Sequence, residues 1–529
     1  MHRNRHLGLA LVGAALAIAA TAPAEAQNNV LRVVPQADVK VLDSHFSSIQ
    51  ITKIFALMVQ DTLFAWDYKL GAKPQMVENW AVSADKLSWT FSLRPGLKFH
   101  DGTPVTSKDA VASIQRWTKR DVIGQRLASF TADWSVVDDR TFVLKLKEPY
   151  GFVEFSIGSA GGQMPVIFRE ADAKTDAATP IATGIGSGPF ILNRDEWKPG
   201  AFVAFKKNPD YIPRTEPVDG LTGGKIAKVD RVEWHIIPDA GTVAAAIAKG
   251  EVDLWDSPSN DQVAPLANNR DLVIDKLPPF GNYGGMRVNS LLPPFNDVKA
   301  RQALAYLFDQ RDFMAAAYGD PKWWKVCNSF YVCDGPWGSE AGSEPYKKKD
   351  LAKAKQLFAE AGYKGEKLVL MTTNELPQIG AMAQVAAANL KEAGVNVELQ
   401  IADWGTVVSR MPKKDSPATD SGGWNMFTTW FTGTTMHSPL TNIATNMACG
   451  GNNWFGWACD AEAEKLRDAF LRAPDDAARK AALDPLHKRL QEVQPIALLG
   501  QFDPPFVWRK NVTGVVKGSV LVFWNISKS

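Results

Sequence analysis

The stretch Trp89-Thr90-Phe91-Ser92-Leu93-Arg94-Pro95-Gly96-Leu97-Lys98-Phe99-His100-Asp101-Gly102, followed by Lys108-Asp109-Ala110, has the pattern of three consecutive structural elements. Apolar and polar residues alternate from Trp89 to Leu93, which predicts a half-buried strand. Asp101-Gly102 is a common turn dipeptide. The small polar side chains from Ser107 to Asp109 suit the first turn of a helix. By pattern alone, the segment is a strand, a turn and a helix.

Together with Asn79-Trp80, this string resembles the signature of the bacterial extracellular solute-binding proteins of family 5. These are the dipeptide, oligopeptide and nickel binders of ATP-driven importers. Further segments similar to the family follow in the expected order and cover nearly the whole mature chain. They are Ser187-Gly188-Pro189-Phe190, Lys207-Asn208-Pro209-Asp210-Tyr211, Gly250-Glu251-Val252-Asp253-Leu254, Asn289 with Pro294-Phe295-Asn296-Asp297, Arg301-Gln302-Ala303-Leu304, and Ala361-Gly362-Tyr363.

The resemblance implies an α/β, bilobal periplasmic binding protein of type II, cluster C-like, with an extra inserted domain. Lobe I would consist of 27–67, 185–288 and 503–529, domain II of 68–184, and lobe III of 289–502. A ligand cleft would lie between the lobes. The implied function is capture of a small solute by lobe closure and delivery to the permease subunits of an ABC transporter in the inner membrane.

Hydrophobic patterning supports an α/β fold independently of the resemblance. A helix over 240–249 ends at Gly250 and precedes a strand over 252–255. Farther along, a strand over 367–371, a helix over 379–393 and a strand over 395–401 form a β-α-β unit. Further strands are predicted over 30–34, 141–146, 202–205 and 231–237.

The amino terminus has the pattern of a signal peptide. Arg3 and Arg5 precede an apolar stretch over 7–20, and Ala24-Glu25-Ala26 suits a signal peptidase that cuts after Ala26. The apolar stretch is shorter than the roughly 20 residues that a membrane span needs. We therefore predict a signal peptide over 1–26 and an exported, periplasmic protein.

Composition narrows the possible partners. The chain has 529 residues and a formal net charge of +2, with charges of both signs spread along it. This charge distribution argues against nucleic acid as a partner. The length calls for at least two domains. No cofactor is implied, and capture and handover of a solute require only a monomer.

The four cysteines, Cys327, Cys333, Cys449 and Cys459, form two closely spaced pairs. Exported proteins form disulfides, and neighbours in sequence close the shortest loops. We therefore predict that Cys327 pairs with Cys333 and Cys449 with Cys459. A zinc site is the rival interpretation, but neither pair has the usual ligand spacing and no histidine lies close to either in sequence.

Candidate ligand-binding residues follow from the rule that ligands gather beyond the carboxyl ends of strands in open α/β sheets. In the second lobe this rule selects loops after three strands, and two segments of the first lobe could face them across the cleft. Many of the 18 tryptophans would serve only core packing. The candidates are Phe46, Ser47, Tyr283, Asn374, Glu375, Trp404, Trp430, Phe431 and Thr434.

The chain departs from the dipeptide binders of this family at two positions. In those proteins an Asp after a Gly-Trp pair holds the peptide amine, and an Arg after an earlier strand holds the carboxylate. Here 431–439 contains no acid and 372–377 contains no Arg. The solute is therefore expected to be neutral, or a cation held by Glu375 or by aromatic faces. Peptide-like compounds and opine- or sugar-like compounds both stay open.

Three alternative functions would each require a different feature of the chain. A secreted hydrolase would need a catalytic motif, and no G-x-S-x-G, H-E-x-x-H or P-loop is present, so we predict that the protein is not an enzyme. A haem- or nickel-binding protein would use His45 and His437 as ligands from opposite lobes. A chaperone-like protein would show an exposed apolar groove.

Overall fold

The computed structural model describes residues 29–529 except 257, 259, 451, 452 and 474. The predicted signal peptide and its cleavage site lie outside the described residues. Within the part of the chain that is described, no helix is both long and apolar enough to cross a membrane.

The strands, in chain order, are β1 (Val30–Val34), β2 (Phe64–Trp66), β3 (Ala72–Pro74), β4 (Val77–Val82), β5 (Ser88–Leu93), β6 (Thr131–Val136), β7 (Thr141–Leu146), β8 (Phe190–Lys198), β9 (Phe202–Lys207), β10 (Arg231–His235), β11 (Leu254–Trp255), β12 (Leu272–Asp275), β13 (Asn282–Val288), β14 (Trp324–Lys325), β15 (Leu368–Thr372), β16 (Val397–Ile401), β17 (Met426–Thr432), β18 (Ala497–Phe502), β19 (Phe506–Arg509), β20 (Val512–Thr513) and β21 (Ser527–Lys528).

The α-helices are α1 (Gln50–Val59), α2 (Ser107–Trp117), α3 (Val122–Phe130), α4 (Val153–Ile157), α5 (Glu170–Ala173), α6 (Ala240–Lys249), α7 (Asn260–Leu266), α8 (Val298–Leu307), α9 (Gln310–Tyr318), α10 (Leu351–Glu360), α11 (Pro377–Glu392), α12 (Trp404–Arg410), α13 (Ala461–Arg472) and α14 (Asp476–Val493). Short 3₁₀ helices lie at Pro321–Trp323, Glu344–Tyr346 and Ile443–Thr445.

A mixed seven-stranded sheet is built from distant parts of the chain, in the order β12-β19-β11-β1-β10-β9-β8. β1 runs parallel to both of its neighbours, β10 and β11. Leu31 and Val33 of β1 are fully buried in the core beside α1. Local signals agree with the global fold: Asp239 caps α6 by accepting a hydrogen bond from the Thr242 amide, and Gly250 ends the helix with a φ of 83°.

The second large sheet has six strands in the order β14-β18-β13-β17-β15-β16. β15, α11 and β16 form the predicted β-α-β unit, and the two strands pair in parallel. Helices α8 to α11 pack on this sheet around a core that includes Met286, Leu304 and Leu370. The predicted β-α-β unit and the predicted α/β fold are confirmed.

The predicted boundary between lobes I and III at 288/289 is wrong by about one strand. β13 belongs to the six-stranded sheet, where it pairs with β17 and β18, so the chain crosses between the sheets at 276–281. Every residue of β13 is buried. A strand that is covered on both faces shows no alternation of apolar and polar residues. The sequence pattern therefore did not indicate β13.

A separate antiparallel sheet, in the order β4-β5-β7-β6, contains the segment that resembles the family signature. The side chains of Trp89, Phe91 and Leu93 in β5 are buried, as the alternation predicts. Gly102 adopts a φ of 85° in the turn. The helix α2 begins with a capping box in which the Thr106 amide donates to Oδ2 of Asp109 at 2.7 Å. The predicted strand, turn and helix are confirmed.

Both predicted disulfides are present. Cys327 is bonded to Cys333, with 6.0 Å between their Cα atoms, and Cys449 to Cys459, with 4.8 Å. The first disulfide lies next to Tyr283, whose hydroxyl accepts a hydrogen bond from the Cys333 amide at 3.0 Å. It therefore ties the loop after β14 to the centre of the six-stranded sheet.

We predict that replacing Cys327 and Cys333 together by Ser lowers the free energy of unfolding by about 2 to 3 kcal/mol, because the unfolded chain gains loop entropy. Urea unfolding of the oxidised protein followed by circular dichroism measures this change. Wild-type protein in reductant is the control for both disulfides together. Equal stability of the double variant and the wild type would contradict a structural role for this bond.

Candidate functional site

Two chain crossings connect the large sheets and run side by side. Residues 276–281 lead from β12 to β13, and 503–505 lead from β18 to β19. β12 pairs with β19, and β13 pairs with β18. Nζ of Lys276 lies 2.6 Å from Oδ2 of Asp503, and Nε2 of Gln501 donates to the Phe280 carbonyl at 3.0 Å. The crossings thus form a double connection at one end of the space between the sheets.

A cavity of about 420 Å³ lies beside this double connection. Its walls come from both large sheets and from the carboxyl-terminal segment. The lining residues are Gln36, Gln50, Ile54, Asp256, Leu277, Pro278, Asn282, Trp430, Thr432, Pro504, Phe506, Gly518, Ser519 and Leu521.

The first wall is formed by the seven-stranded sheet. β1 and β11 are parallel, so their carboxyl ends meet at the same edge, and the chain continues there into Gln36 and Asp256. The first residue of α1, Gln50, adds an amide to the same wall. Polar groups collect here because strand ends in an open α/β sheet leave the core together.

The opposite wall is formed by the six-stranded sheet. Asn282 at the start of β13 pairs in register with Thr432 at the end of β17. Trp430 lies two residues before Thr432 on the same face of the strand and is half-buried. Its ring contacts the edge of Phe502 with 6.5 Å between centroids. This packing supports an indole that faces the cavity.

A smaller space of about 200 Å³ adjoins the cavity and shares Pro278, Asn282, Thr432 and Ser519 with it; its other lining residues are Pro279, Phe280, Gly281, Gly433 and Thr434. The Gly433 amide donates to the Gly281 carbonyl at 2.7 Å. A Cβ on Gly433 would lie 2.7 Å from Cβ of Phe280, so this approach requires glycine.

Two polar side-chain atoms at the cavity have no hydrogen-bond partner among the described residues. They are Oε1 of Gln50 and Oγ of Ser519. Ser519 is only 7% exposed. Buried polar groups normally have partners, because an unmade hydrogen bond costs the full desolvation of the group. Both atoms are therefore available to a polar solute.

Asp256 is the one ionisable residue among those that line the two spaces, as far as the structure describes them, and it is only 4% exposed. The nearby lysines are each paired with another acid. Lys276 contacts Asp503, and Nζ of Lys517 lies 2.8 Å from Oδ2 of Asp275.

Two predicted site residues, Trp430 and Thr434, line these spaces. The predictions of Tyr283 and Phe431 conflict with the geometry of their strands. These two residues pair across β13 and β17, and side chains alternate along a strand, so both point away from Asn282, Trp430 and Thr432. The structure places Tyr283 in the core, where its hydroxyl donates to Oε1 of Gln501, and Phe431 against the ring of Trp454.

Asn374, Glu375 and Trp404 follow β15 and β16 at the outer part of the six-stranded sheet and line neither space. Asn374 and Glu375 are exposed, and Trp404 is half-buried. Oε2 of Glu375 accepts a hydrogen bond from the Trp404 amide at 2.8 Å. This contact gives Glu375 a local structural partner at the start of α12.

Phe46 and Ser47 lie in the turn after β1, outside the lining of both spaces. The guanidinium of Arg120 lies 5.0 Å from the ring centroid of Phe46, and Oγ of Ser47 accepts from the Ile49 amide at 3.3 Å. Both side chains therefore make contacts within their own part of the chain.

The two histidines considered as metal ligands lie in different surroundings. His45 has its Nε2 2.9 Å from the Val166 carbonyl. His437 packs against the rings of Phe155 and Phe280. Burial lowers the pKa of each to about 4. The described residues contain no group of three or more His, Cys, Asp or Glu side chains that could hold a metal ion.

Pattern analysis missed Gln36, Gln50, Asp256, Asn282 and Ser519. Asp256 could have been found, because it directly follows a predicted strand and the strand-end rule applies to the first lobe as well as the second. Ser519 had no such signal, since it lies in an irregular segment near the carboxyl terminus.

The segment 68–184 also contacts the part of the chain that contains the six-stranded sheet, where α3 and the loop after β7 face α13. Arg126 forms an ion pair with Asp468, and Arg472 forms one with Glu148. The rings of Phe152 and Phe470 stack with 6.3 Å between centroids. Nearer the cavity, Oγ1 of Thr435 donates to the Gly161 carbonyl at 3.2 Å. These contacts join the segment 68–184 to the helices beside the six-stranded sheet.

Comparison with known proteins agrees with this geometry. The family model for bacterial extracellular solute-binding proteins, family 5, matches residues 71–454. The probable peptide ABC transporter periplasmic-binding protein y4tO of Sinorhizobium fredii is 40% identical, over 93% of this chain and 92% of that protein. The relatives of this chain are binding proteins rather than enzymes.

Solved structures show the same bilobal periplasmic-binding-protein fold. The protein AgaA of A. tumefaciens R10, in complex with agropinic acid, superimposes with a TM-score of 0.80 at 22% identity and covers 94% of this chain and 99% of its own. A dipeptide-binding protein of Pseudoalteromonas sp. SM9913, in complex with Met-Leu, gives 0.78 at 19% identity, with 94% and 100% covered. This chain belongs to the bacterial extracellular solute-binding proteins of family 5.

Proposed function

We propose that this protein is the periplasmic substrate-binding component of an ABC importer and that it holds a small solute in the cavity between the two large sheets. The observation that supports this most directly is the cavity itself, whose opposite walls come from different sheets. Its lining also includes two unpartnered polar atoms, Oε1 of Gln50 and Oγ of Ser519.

Solute capture in this arrangement depends on contacts with both walls. A solute that contacted only Gln36, Gln50 and Asp256 would bind the open and the closed forms of the protein equally. Such a solute would not shift the equilibrium between the two forms. Additional contacts with Asn282 and Trp430 exist only when the walls are close. The solute thereby stabilises the closed form, which is the form that the permease would recognise.

The compounds that the relatives bind support a peptide-like or opine-like solute. The Sinorhizobium relative is described as a probable peptide-binding component, and the two superimposed structures hold an opine and a dipeptide. We propose that this protein acts by binding alone, as a monomer, without catalysis and without nucleic acid. We propose further that domain II, 68–184, is an insertion into lobe I.

We expect the exported protein to begin at Gln27, because Ala24 and Ala26 suit cleavage after Ala26. The intact mass of protein isolated from the periplasm of a Gram-negative host measures this directly. A protein that is exported but retains 1–26 would contradict the proposed cleavage site.

Replacement of Trp430 by Ala should weaken solute binding about 10-fold or more, because it removes a large contact surface from the cavity wall. A thermal-shift screen of the wild type with dipeptides, opines and oligosaccharides first finds a solute, and calorimetry then compares the variants. A solute at about 100 times its dissociation constant adds about 2.7 kcal/mol to stability, enough to raise the melting temperature measurably.

Trp80→Ala is the matched control, because Trp80 lies on β4, outside the cavity. Its indole NH donates a hydrogen bond to Oε1 of Glu154. It should bind like the wild type. If both variants bound the solute as tightly as the wild type, the cavity would not be the binding site. If no compound bound and no small molecule were released on denaturation, the chaperone or enzyme alternatives would gain support.

The ion pairs between the segment 68–184 and α13 should favour closure. We predict that Arg126→Ala combined with Arg472→Ala weakens solute binding about 2- to 10-fold, because two partly exposed ion pairs across the gap are lost. Binding by this double variant should also vary less with ionic strength, since salt screens such pairs. Calorimetry at two salt concentrations measures both effects.

Lys347→Ala is the control for this pair of substitutions. Lys347 forms ion pairs with Glu340 and Glu344, all on one side of the gap. Its loss should leave solute affinity unchanged. An equal loss of affinity in the control, or none in the double variant, would show that the contacts across the gap do not contribute to closure.

A further inference from the structure

The segment 320–334, which contains the Cys327–Cys333 disulfide and which we call the bridged segment, lies against both crossings of the double connection. Its strand β14 pairs with β18, the strand that leads into the second crossing. Just before β14, the carbonyl of Trp323 accepts a hydrogen bond from the Asp503 amide at 2.7 Å. Asp503 is the first residue of the second crossing, so a main-chain bond ties this crossing to the bridged segment.

The bridged segment reaches the first crossing through the hydroxyl of Tyr283. That hydroxyl accepts a hydrogen bond from the Cys333 amide at 3.0 Å and donates one to Oε1 of Gln501 at 2.7 Å. Nε2 of Gln501 donates in turn to the Phe280 carbonyl, in the first crossing, at 3.0 Å. These three hydrogen bonds, which we call the tyrosine relay, run in series from the bridged segment to the first crossing.

The tyrosine relay is enclosed in the protein. Tyr283 is only 1% exposed, and Gln501 only 3%. Burial raises the pKa of the Tyr283 hydroxyl well above its ordinary value, so the hydroxyl keeps the proton that it donates. Little water is available to replace a lost partner here, and an unmade hydrogen bond would cost the desolvation of the groups that remain.

The first crossing forms part of the wall around the space that we assign to the solute. Pro278 lines the cavity and the smaller space beside it, and Phe280 and Gly281 line the smaller space. The Gly281 carbonyl also accepts the hydrogen bond from the Gly433 amide, just after β17. The position of the first crossing therefore determines the shape of the solute space at this end.

We propose that Tyr283 is a positioning residue for solute binding: through the tyrosine relay, the bridged segment holds the first crossing where it completes the wall of the solute space. The side chain of Tyr283 lies on the face of β13 opposite to Asn282, so it acts through the crossing and not by contact with the solute. Its effect on binding rests on the proposed function, but the position of the crossing can be measured without a solute.

Tyr283→Phe tests the relay, because it removes the hydroxyl and retains the ring that packs in the core. In the solute-free protein, we expect amides in 276–282 to exchange with deuterium about 3-fold faster or more than in the wild type. The loss of one buried hydrogen bond changes a local opening equilibrium by this order. Mass spectrometry of peptides from the exchanged protein measures the rates.

Tyr331→Phe is the matched control for this substitution. Tyr331 is also fully buried and lies within the loop that the same disulfide closes. Its hydroxyl lies 3.4 Å from Oγ1 of Thr445 and is not part of the tyrosine relay. This variant should exchange at 276–282 like the wild type. The melting temperatures of both variants establish that they are folded.

A second pair of variants reaches the bridged segment without a change to the tyrosine. Cys327→Ser combined with Cys333→Ser frees the segment and should also speed exchange at 276–282. Replacing both cysteines of the other disulfide by Ser is the control. That disulfide closes a loop at the other end of β13, where the Phe455 carbonyl accepts a hydrogen bond from Nε of Arg287 at 2.5 Å.

The effect on binding is measured with an equimolar mixture of dipeptides, and with an opine if the dipeptides do not bind. Stopped-flow tryptophan fluorescence gives the association and dissociation rates. We expect Tyr283→Phe to raise the dissociation rate about 3- to 10-fold and to leave the association rate within about 2-fold, because variants of one site differ mostly in dissociation. Tyr331→Phe should match the wild type in both rates.

Equal exchange at 276–282 in Tyr283→Phe and the wild type would overturn the inference, and so would an equal increase in Tyr331→Phe. Faster exchange with an unchanged dissociation rate would overturn the role of Tyr283 in binding. If no compound bound to the wild type, the proposed function would fail, and the exchange rates alone would decide whether the tyrosine relay positions the crossing.

Discussion

The pairing of the two chain crossings is the constraint on which the site depends. β12 and β19 are neighbours in one sheet, and β13 and β18 are neighbours in the other, so the chain has to cross twice at the same place. The ion pair between Lys276 and Asp503 links the two crossings. A double connection limits the relative motion of the sheets to opening and closing about one end. The cavity lies directly beside this end, where small motions preserve its shape.

The chemistry of the cavity follows from the direction of the strands around it. Parallel strands bring the residues after β1 and β11 to one edge, and an antiparallel pair brings Asn282 beside Thr432 on the other side. Each wall therefore presents polar groups at the end of an apolar core. One wall includes Asp256 and two glutamines, and the other includes Trp430 and Asn282. The family fold is compatible with many solutes, so the choice of solute depends on these few side chains.

Much of the fold could be predicted because local and global signals agree. The caps of α6 and α10, the β-α-β unit and the two short-range disulfides all follow from residues close together in sequence. The site was harder to predict. β13 is buried on both faces and has no alternation, so its residues were assigned to the wrong lobe and Tyr283 to the cleft.

The members of the cavity lining come from segments separated by hundreds of residues, and only the tertiary fold brings them together. Trp430 and Thr434 were selected because they lie near the carboxyl end of β17, the first within the strand and the second just after it. Phe431 was selected by the same rule, but it occupies the opposite face of that strand. Asp256 lies after a strand of only two residues, in a lobe where the strand-end rule had not been applied.

A crystal structure of the mature protein with a bound solute tests the central claim most directly. The account predicts electron density for the solute in the cavity beside the double connection, in contact with Trp430 on one wall and with Gln36 or Gln50 on the other. Density for the solute along the outer strands, beside Glu375 and Trp404, would contradict it.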